Sequence, residues 1–144
     1  MNDVHIAPAL PRGHRVRELV YAYRSLRGSD GRVVDVPSVA LNNPRNAAAV
    51  LAPLIADQPV EVFGVACLST RYRLLAWHLL SRGTRDSTPV SMPDVFLPAC
   101  LTPGTTGLMV VHNHPSGDPT PSTEDQEMTI RLRRACELLR EIHF

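Results

Sequence analysis

The sequence predicts a single α/β domain, and three observations carry that expectation. Segments of helical and of strand character alternate along its 144 residues. Two apolar runs bounded by glycine or turn residues, 60–68 and 107–111, have the form of buried strands. Other segments open on residues that cap helices and then repeat an apolar position every three to four residues. The length fits one domain of roughly 100–150 residues; residues 1–13 are expected to form a loose arm and 14–144 a single domain.

Composition narrows the class. Hydrophobic residues make up 44% and charged residues 20%, near the roughly 45–50% and 25% of soluble globular domains. The longest apolar stretch, 47–56, contains Pro53 and falls far short of the about 18 residues that suggest a membrane span. Asp3 stands where a signal peptide needs basic residues, and no apolar core follows it. The expectation is a cytoplasmic protein without membrane association. Fifteen basic residues, all arginine, against fourteen acidic ones leave a net charge of +1, so the chain as a whole offers little electrostatic attraction to nucleic acid. Cys67, Cys100 and Cys136 are odd in number and far apart, which suggests reduced core residues rather than a disulfide framework or a CxxC metal site.

The elements follow in order. Val16, Leu19, Val20, Tyr23 and Leu26 fall at helical spacing, and Gly28 to Gly31 should stop that helix. Six arginines between 12 and 32 face only Glu18 and Asp30; this can be a basic patch for nucleic acid or a solvated helix face. Residues 32–36 read as a short strand ended by Pro37. Asn43 followed by Pro44 is a helix start, and the alanine-rich run to Ile55 fits a buried helix that Pro53 should kink or end. Residues 60–68, rich in β-branched side chains and with Gly64 in the middle, read as a central strand. After a turn at 69–73, residues 74–80 read as the returning strand of a hairpin, although their periodicity also allows helix. Ser91 to Asp94 opens a helix through Leu101 that Pro103-Gly104 closes.

The strand at 107–111 delivers the chain into its most informative stretch, His112 to Asp125. In extended backbone, side chains two residues apart share a face, so His112 and His114 can converge on one ion. A Pro/Gly-rich turn reverses the chain, and a helix starting at Ser122 puts Asp125 in its first turn, able to face the histidines. Two histidines and a carboxylate that leave a position for water are the ligand set of hydrolytic zinc sites. Each part also has a structural explanation: Ser122 with Asp125 fits a helix capping box, an HxH pair arises in loops by chance, Asn113 serves as a spacer, and Glu61 is an ordinary strand-end carboxylate. An HNH nuclease is not implied by adjacent His-Asn-His, and a cytidine deaminase would need HxE and PCxxC, both missing.

Taken together, His112-x-His114-x7-Ser122-xx-Asp125 resembles the JAMM (MPN+) metallohydrolase signature, and HNHPSGDPTPSTEDQEMT is similar to the hallmark of the bacterial RadC family. Glu61 in EVFGVACL, Gly83-Thr84 and the helix VFLPACL stand upstream in the family's order, so the resemblance covers about residues 35–144. It implies an α/β fold of JAB/MPN type, a curved β-sheet flanked by helices. It also implies Zn²⁺ on His112, His114 and Asp125, a water, Glu61 as general base and then acid, and Ser122 donating to the oxyanion. The implied substrate is a peptide, isopeptide or related amide.

The sequence departs from the family in two places. Members continue beyond the helix ending near Leu139 into further strands, so the C-terminal strands are expected to be missing after Phe144. Longer members also carry a helical DNA-binding region before the domain, where only one helix fits here. A DNA role thereby loses its main physical support, and the alternative, a non-enzymatic DNA- or protein-associated module around a structural or vestigial metal, rests on the arginine-rich residues 15–27. Fe(II) is a second choice of metal for the same ligands.

Overall fold

In the computed structural model, residues 25–28, 30–34, 36–83, 90–140 and 142–144 are described. The predicted helix over 16–26 lies largely outside them, and with it most of the arginine-rich segment. Ser25 and Leu26 are not helical. Arg27 pairs with Val33 in an isolated antiparallel bridge, and the Val34 N–H donates to the Leu26 carbonyl at 2.9 Å. Among the described residues, the predicted strand at 32–36 shows one bridge, in a tight reversal. Gly31, with φ +78°, adopts the left-handed backbone that this turn needs, and Asp30 accepts from the Arg32 N–H.

The first helix, α1 (Pro44–Ile55), starts where the sequence places it: the Asn43 side chain accepts from the Asn46 N–H at 2.9 Å, with proline in the first turn. Pro53 sits inside the helix and does not end it before Ile55. Proline cannot donate to the carbonyl four residues back, here Ala49, and both residues are exposed, so water can serve that carbonyl. Val50, Leu51, Leu54 and Ile55 form the buried stripe, each such side chain contributing about 1.5–3 kcal/mol relative to exposure.

Strands β1 (Val62–Leu68), β2 (Leu74–Arg82) and β3 (Gly107–His112) form an antiparallel sheet in the order β2-β1-β3. The central strand is buried at every position, as its continuous apolar run predicts. Residues 74–82 are strand rather than helix because the turn folds them back onto β1. In that turn Ser69 Oγ accepts from the Arg71 and Arg73 N–H groups, and Tyr72 takes a left-handed φ of 57°.

Alternation along β1 divides the core. Val62, Ala66 and Leu68 pack with α1, whereas Phe63, Val65 and Cys67 face Val95 and Ala99 of α2 (Met92–Leu101) and Leu132 of α3 (Thr123–Leu139). Gly64 is needed for packing: a Cβ there would clash with the Trp77 ring. Cys67 and Cys136 are buried, as expected, but Cys100 is exposed, on the outer side of α2. Burial pushes the thiols of Cys67 and Cys136 up, which suits inert core residues. After α3, His143 forms a parallel bridge to Gly107 on the edge of β3 away from β1, with hydrogen bonds of 2.7 and 2.9 Å. No helix among the described residues is long and apolar enough to cross a membrane.

Candidate metal centre

The site is assembled where β3 ends and α3 begins. His112 is the last residue of β3, paired with Phe63 of β1, and its imidazole stacks on the Phe63 ring at 6.0 Å with the planes 7° apart. Phe63 is 5% exposed, so the stack gives the imidazole a fixed wall. His114 turns back toward it: the two Nε2 atoms are 2.8 Å apart and the rings 4.8 Å. At that separation one nitrogen donates and the other accepts, while both must present lone pairs to bind an ion.

The chain then reverses through Gly117, whose φ of +82° requires the left-handed region and whose N–H donates to the His114 carbonyl. Ser122 caps α3. Its Oγ accepts from the Asp125 N–H at 3.1 Å, and Asp125 Oδ2 in return accepts from the Ser122 N–H and hydroxyl, both at 2.8 Å. The reciprocal box turns the carboxylate toward the histidines. His112 Nε2 lies 3.3 Å from Asp125 Oδ1, and His114 Nε2 lies 3.9 Å from Oδ2.

All three ligand atoms fall within 4.8 Å of one another. A tetrahedral ion with bonds of about 2.0–2.1 Å holds its ligand atoms about 3.3 Å apart, so the donor set suits zinc in chemistry and in spacing. Partial burial by itself raises the Asp125 pKa. The Ser122 N–H and hydroxyl, then the two imidazoles, outweigh it and hold the carboxyl below its usual range. The site opens to solvent through a cleft of about 270 Å³ lined by His112, His114, Gly117, Pro119 and Pro121.

Of the residues singled out from sequence, the structure brings His112, His114, Asp125 and Ser122 together. Both explanations of the Ser122–Asp125 spacing hold at once: the pair is a capping box, and its carboxylate also faces the histidines. The Ser122 hydroxyl proton is directed at Asp125 Oδ2. Glu61 immediately precedes β1, and its carbonyl accepts from the Gly83 N–H at 2.9 Å. The β1–β3 ladder ends at Phe63 and His112, two residues after Glu61, and Glu61 does not belong to the group that His112, His114 and Asp125 form. Thr84 lies outside the described residues. Sequence reasoning missed Phe63, an ordinary core aromatic in any local window, and took Asn113 for a spacer, although its side chain makes three hydrogen bonds.

The sequence profile of a family described as "RadC-like JAB domain" matches residues 41–143. The chain belongs to that family. Among curated relatives, this RadC-like JAB domain is 44% identical to a UPF0758 protein of Thermotoga maritima over 79 residues, covering 55% of the chain and 35% of the relative. It is 38% identical to a UPF0758 protein of Pseudomonas fluorescens over 100 residues, 69% of the chain and 44% of the relative. With one of Symbiobacterium thermophilum it shares 39% over 101 residues, 70% of the chain and 43% of the relative. The chain thus spans less than half the length of these relatives. The three-stranded antiparallel sheet with its helices is consistent with a JAB-like fold, and the His-His-Asp group matches the JAMM motif.

Proposed function

We propose that this RadC-like JAB domain is a zinc-dependent hydrolase of JAMM type that cleaves a peptide, isopeptide or related amide bond. The observation that carries the proposal is the convergence of His112, His114 and Asp125, with ligand atoms within 4.8 Å of one another beside an open cleft. His112 and His114 would bind through Nε2, and Asp125 would bind as an ionised carboxylate kept in that form by Ser122 and the helix N-terminus. Zinc held there would lower the pKa of a bound water toward about 7 and polarise the scissile carbonyl.

The protein's own groups do the rest. Glu61, at the head of β1, accepts the proton of the attacking water and returns it to the departing amine nitrogen. Asp125 would offset part of the positive charge of a bound ion. Ser122 can donate to the oxyanion only by turning its hydroxyl proton away from Asp125 Oδ2. Its oxygen would still accept from the Asp125 N–H, so the helix stays capped during the exchange.

Glu61→Gln should cut cleavage of fluorogenic peptide and isopeptide probes by about 10²–10⁴-fold, to a small residual rate, while retaining near wild-type zinc content, whereas Asp125→Ala should lower both. Loss of zinc in Glu61→Gln would contradict the role given to Glu61. Iron in place of zinc in the purified protein would contradict the choice of metal.

A further inference from the structure

Asn113 lies between the two histidines yet points away from them, to the segment that carries Glu61. Its Oδ1 accepts from the Val62 N–H at 2.7 Å, and its Nδ2 donates to the carbonyls of Gln58 and Val60, each at 3.2 Å. One side chain therefore ties residues 58, 60 and 62, which flank Glu61 on both sides. The β1–β3 ladder ends at Phe63 and His112, and at the next position the Asn113 side chain takes up the Val62 N–H. That lets β3 leave the sheet, so that His114 can turn back toward His112, without stranding a polar group of β1. From the other side, Gly83 holds the Glu61 carbonyl.

We propose that Asn113 is a positioning residue that sets the Glu61 segment at a fixed station relative to His112 and His114, and through it acts on proton transfer. This inference rests on the hydrolase reading above. The amide of Asn113 uses its acceptor and both donor hydrogens. Neither an aspartate, which lacks the donors, nor an alanine, which lacks everything, can reproduce it. A displacement of about 1 Å between a proton acceptor and its water costs on the order of 100-fold in rate, whereas the ligand set does not include Asn113.

The test combines three readouts on the full chain and on Asn113→Ala. Zinc affinity, measured by competition with a chromophoric chelator, should stay within about threefold of wild type. Amide exchange at Val62 should accelerate at least tenfold, with protection along the rest of β1 and β3 unchanged. Turnover of the isopeptide probe should fall 10- to 100-fold in kcat with little change in KM, and the same substitution should cost nothing further in a Glu61→Gln background. Zinc affinity falling in step with turnover, unchanged exchange at Val62, or full additivity with Glu61→Gln would each overturn the proposal. If Asn113→Ala does not fold, Asn113→Asp keeps the acceptor for Val62, removes both donor bonds and should show the same kcat loss and the same non-additivity. A wild-type chain that binds zinc but cleaves no probe would defeat the hydrolase reading, and the exchange readout would still decide whether Asn113 holds the segment.

Discussion

Helices α2 and α3 start with the same device and serve different ends. Ser91 and Asp94 form a capping box at α2, with Asp94 Oδ2 2.6 Å from Ser91 Oγ, and Ser122 and Asp125 form one at α3. Both carboxylates sit in the first turn, where the helix dipole favours negative charge. The first faces no cluster of metal-ligating side chains among the described residues; the second is completed by His112 and His114 from the end of β3. The box itself is structural in both helices. A candidate metal centre arises only where the sheet presents two imidazoles to it, so the chemistry comes from tertiary placement of a common local motif.

The largest effect should come from removing the carboxylate on each side of this comparison. Asp125→Ala should weaken zinc binding by more than 100-fold, beyond the 10–100-fold typical of losing a group that supports a ligand. Asp94→Ala should leave zinc affinity unchanged, and chelator competition reads both. Next in size is damage to the sheet that brings the histidines to α3. Gly64→Ala forces a methyl into Trp77 and should destabilise the fold by about 1–3 kcal/mol as an overpacking change, seen as a lower denaturant midpoint.

Serine substitutions sharpen the contrast further. Ser91→Ala and Ser122→Ala should each cost about 0.5–2 kcal/mol of stability for a lost cap. Ser122→Ala alone should also weaken zinc binding, by about tenfold, because Asp125 Oδ2 loses its hydrogen bond from the hydroxyl and keeps only the one from the backbone N–H. The smallest effect lies away from both boxes. His78 on β2 has its Nε2 buried without a hydrogen-bond partner among the described residues, and burial lowers its pKa from 6.5. Its folded pKa lies below its unfolded value. The stability linked to its neutral form is therefore fully present above pH 6.5 and declines as pH falls toward the folded pKa. Unfolding of metal-free protein between pH 7.5 and about 5 should show this decline, and His78→Phe should flatten it.

Local chemistry was legible in the sequence because its causes lie within a few residues. Asn43-Pro44, Ser91 and Ser122 each start a helix where a cap predicts one, and the buried run at 62–68 is the central strand. The convergence of His112, His114 and Asp125 was legible because strand and helix periods fix which side chains share a face. What escaped depends on partners distant in the chain. Asn113 bonds to residues more than fifty positions away, and Phe63 meets His112 only through strand pairing. Near the start of the described chain, Leu26 is the last position of a helical apolar spacing, yet Leu26 and Arg27 pair with residues 33–34 because the turn between them permits reversal. Cys100 was expected in the core because its neighbours are apolar, but a helix turns one side to solvent whatever its composition, and Cys100 lies on that side.

The most direct test of the central claim is metal stoichiometry by elemental analysis, on protein purified without a metal-binding tag, beside His112→Ala, His114→Ala and Asp94→Ala. The account predicts near one zinc per chain in the wild type and in Asp94→Ala, and its loss in both histidine variants. Folded wild-type protein that carries no zinc and takes none up on addition would contradict it.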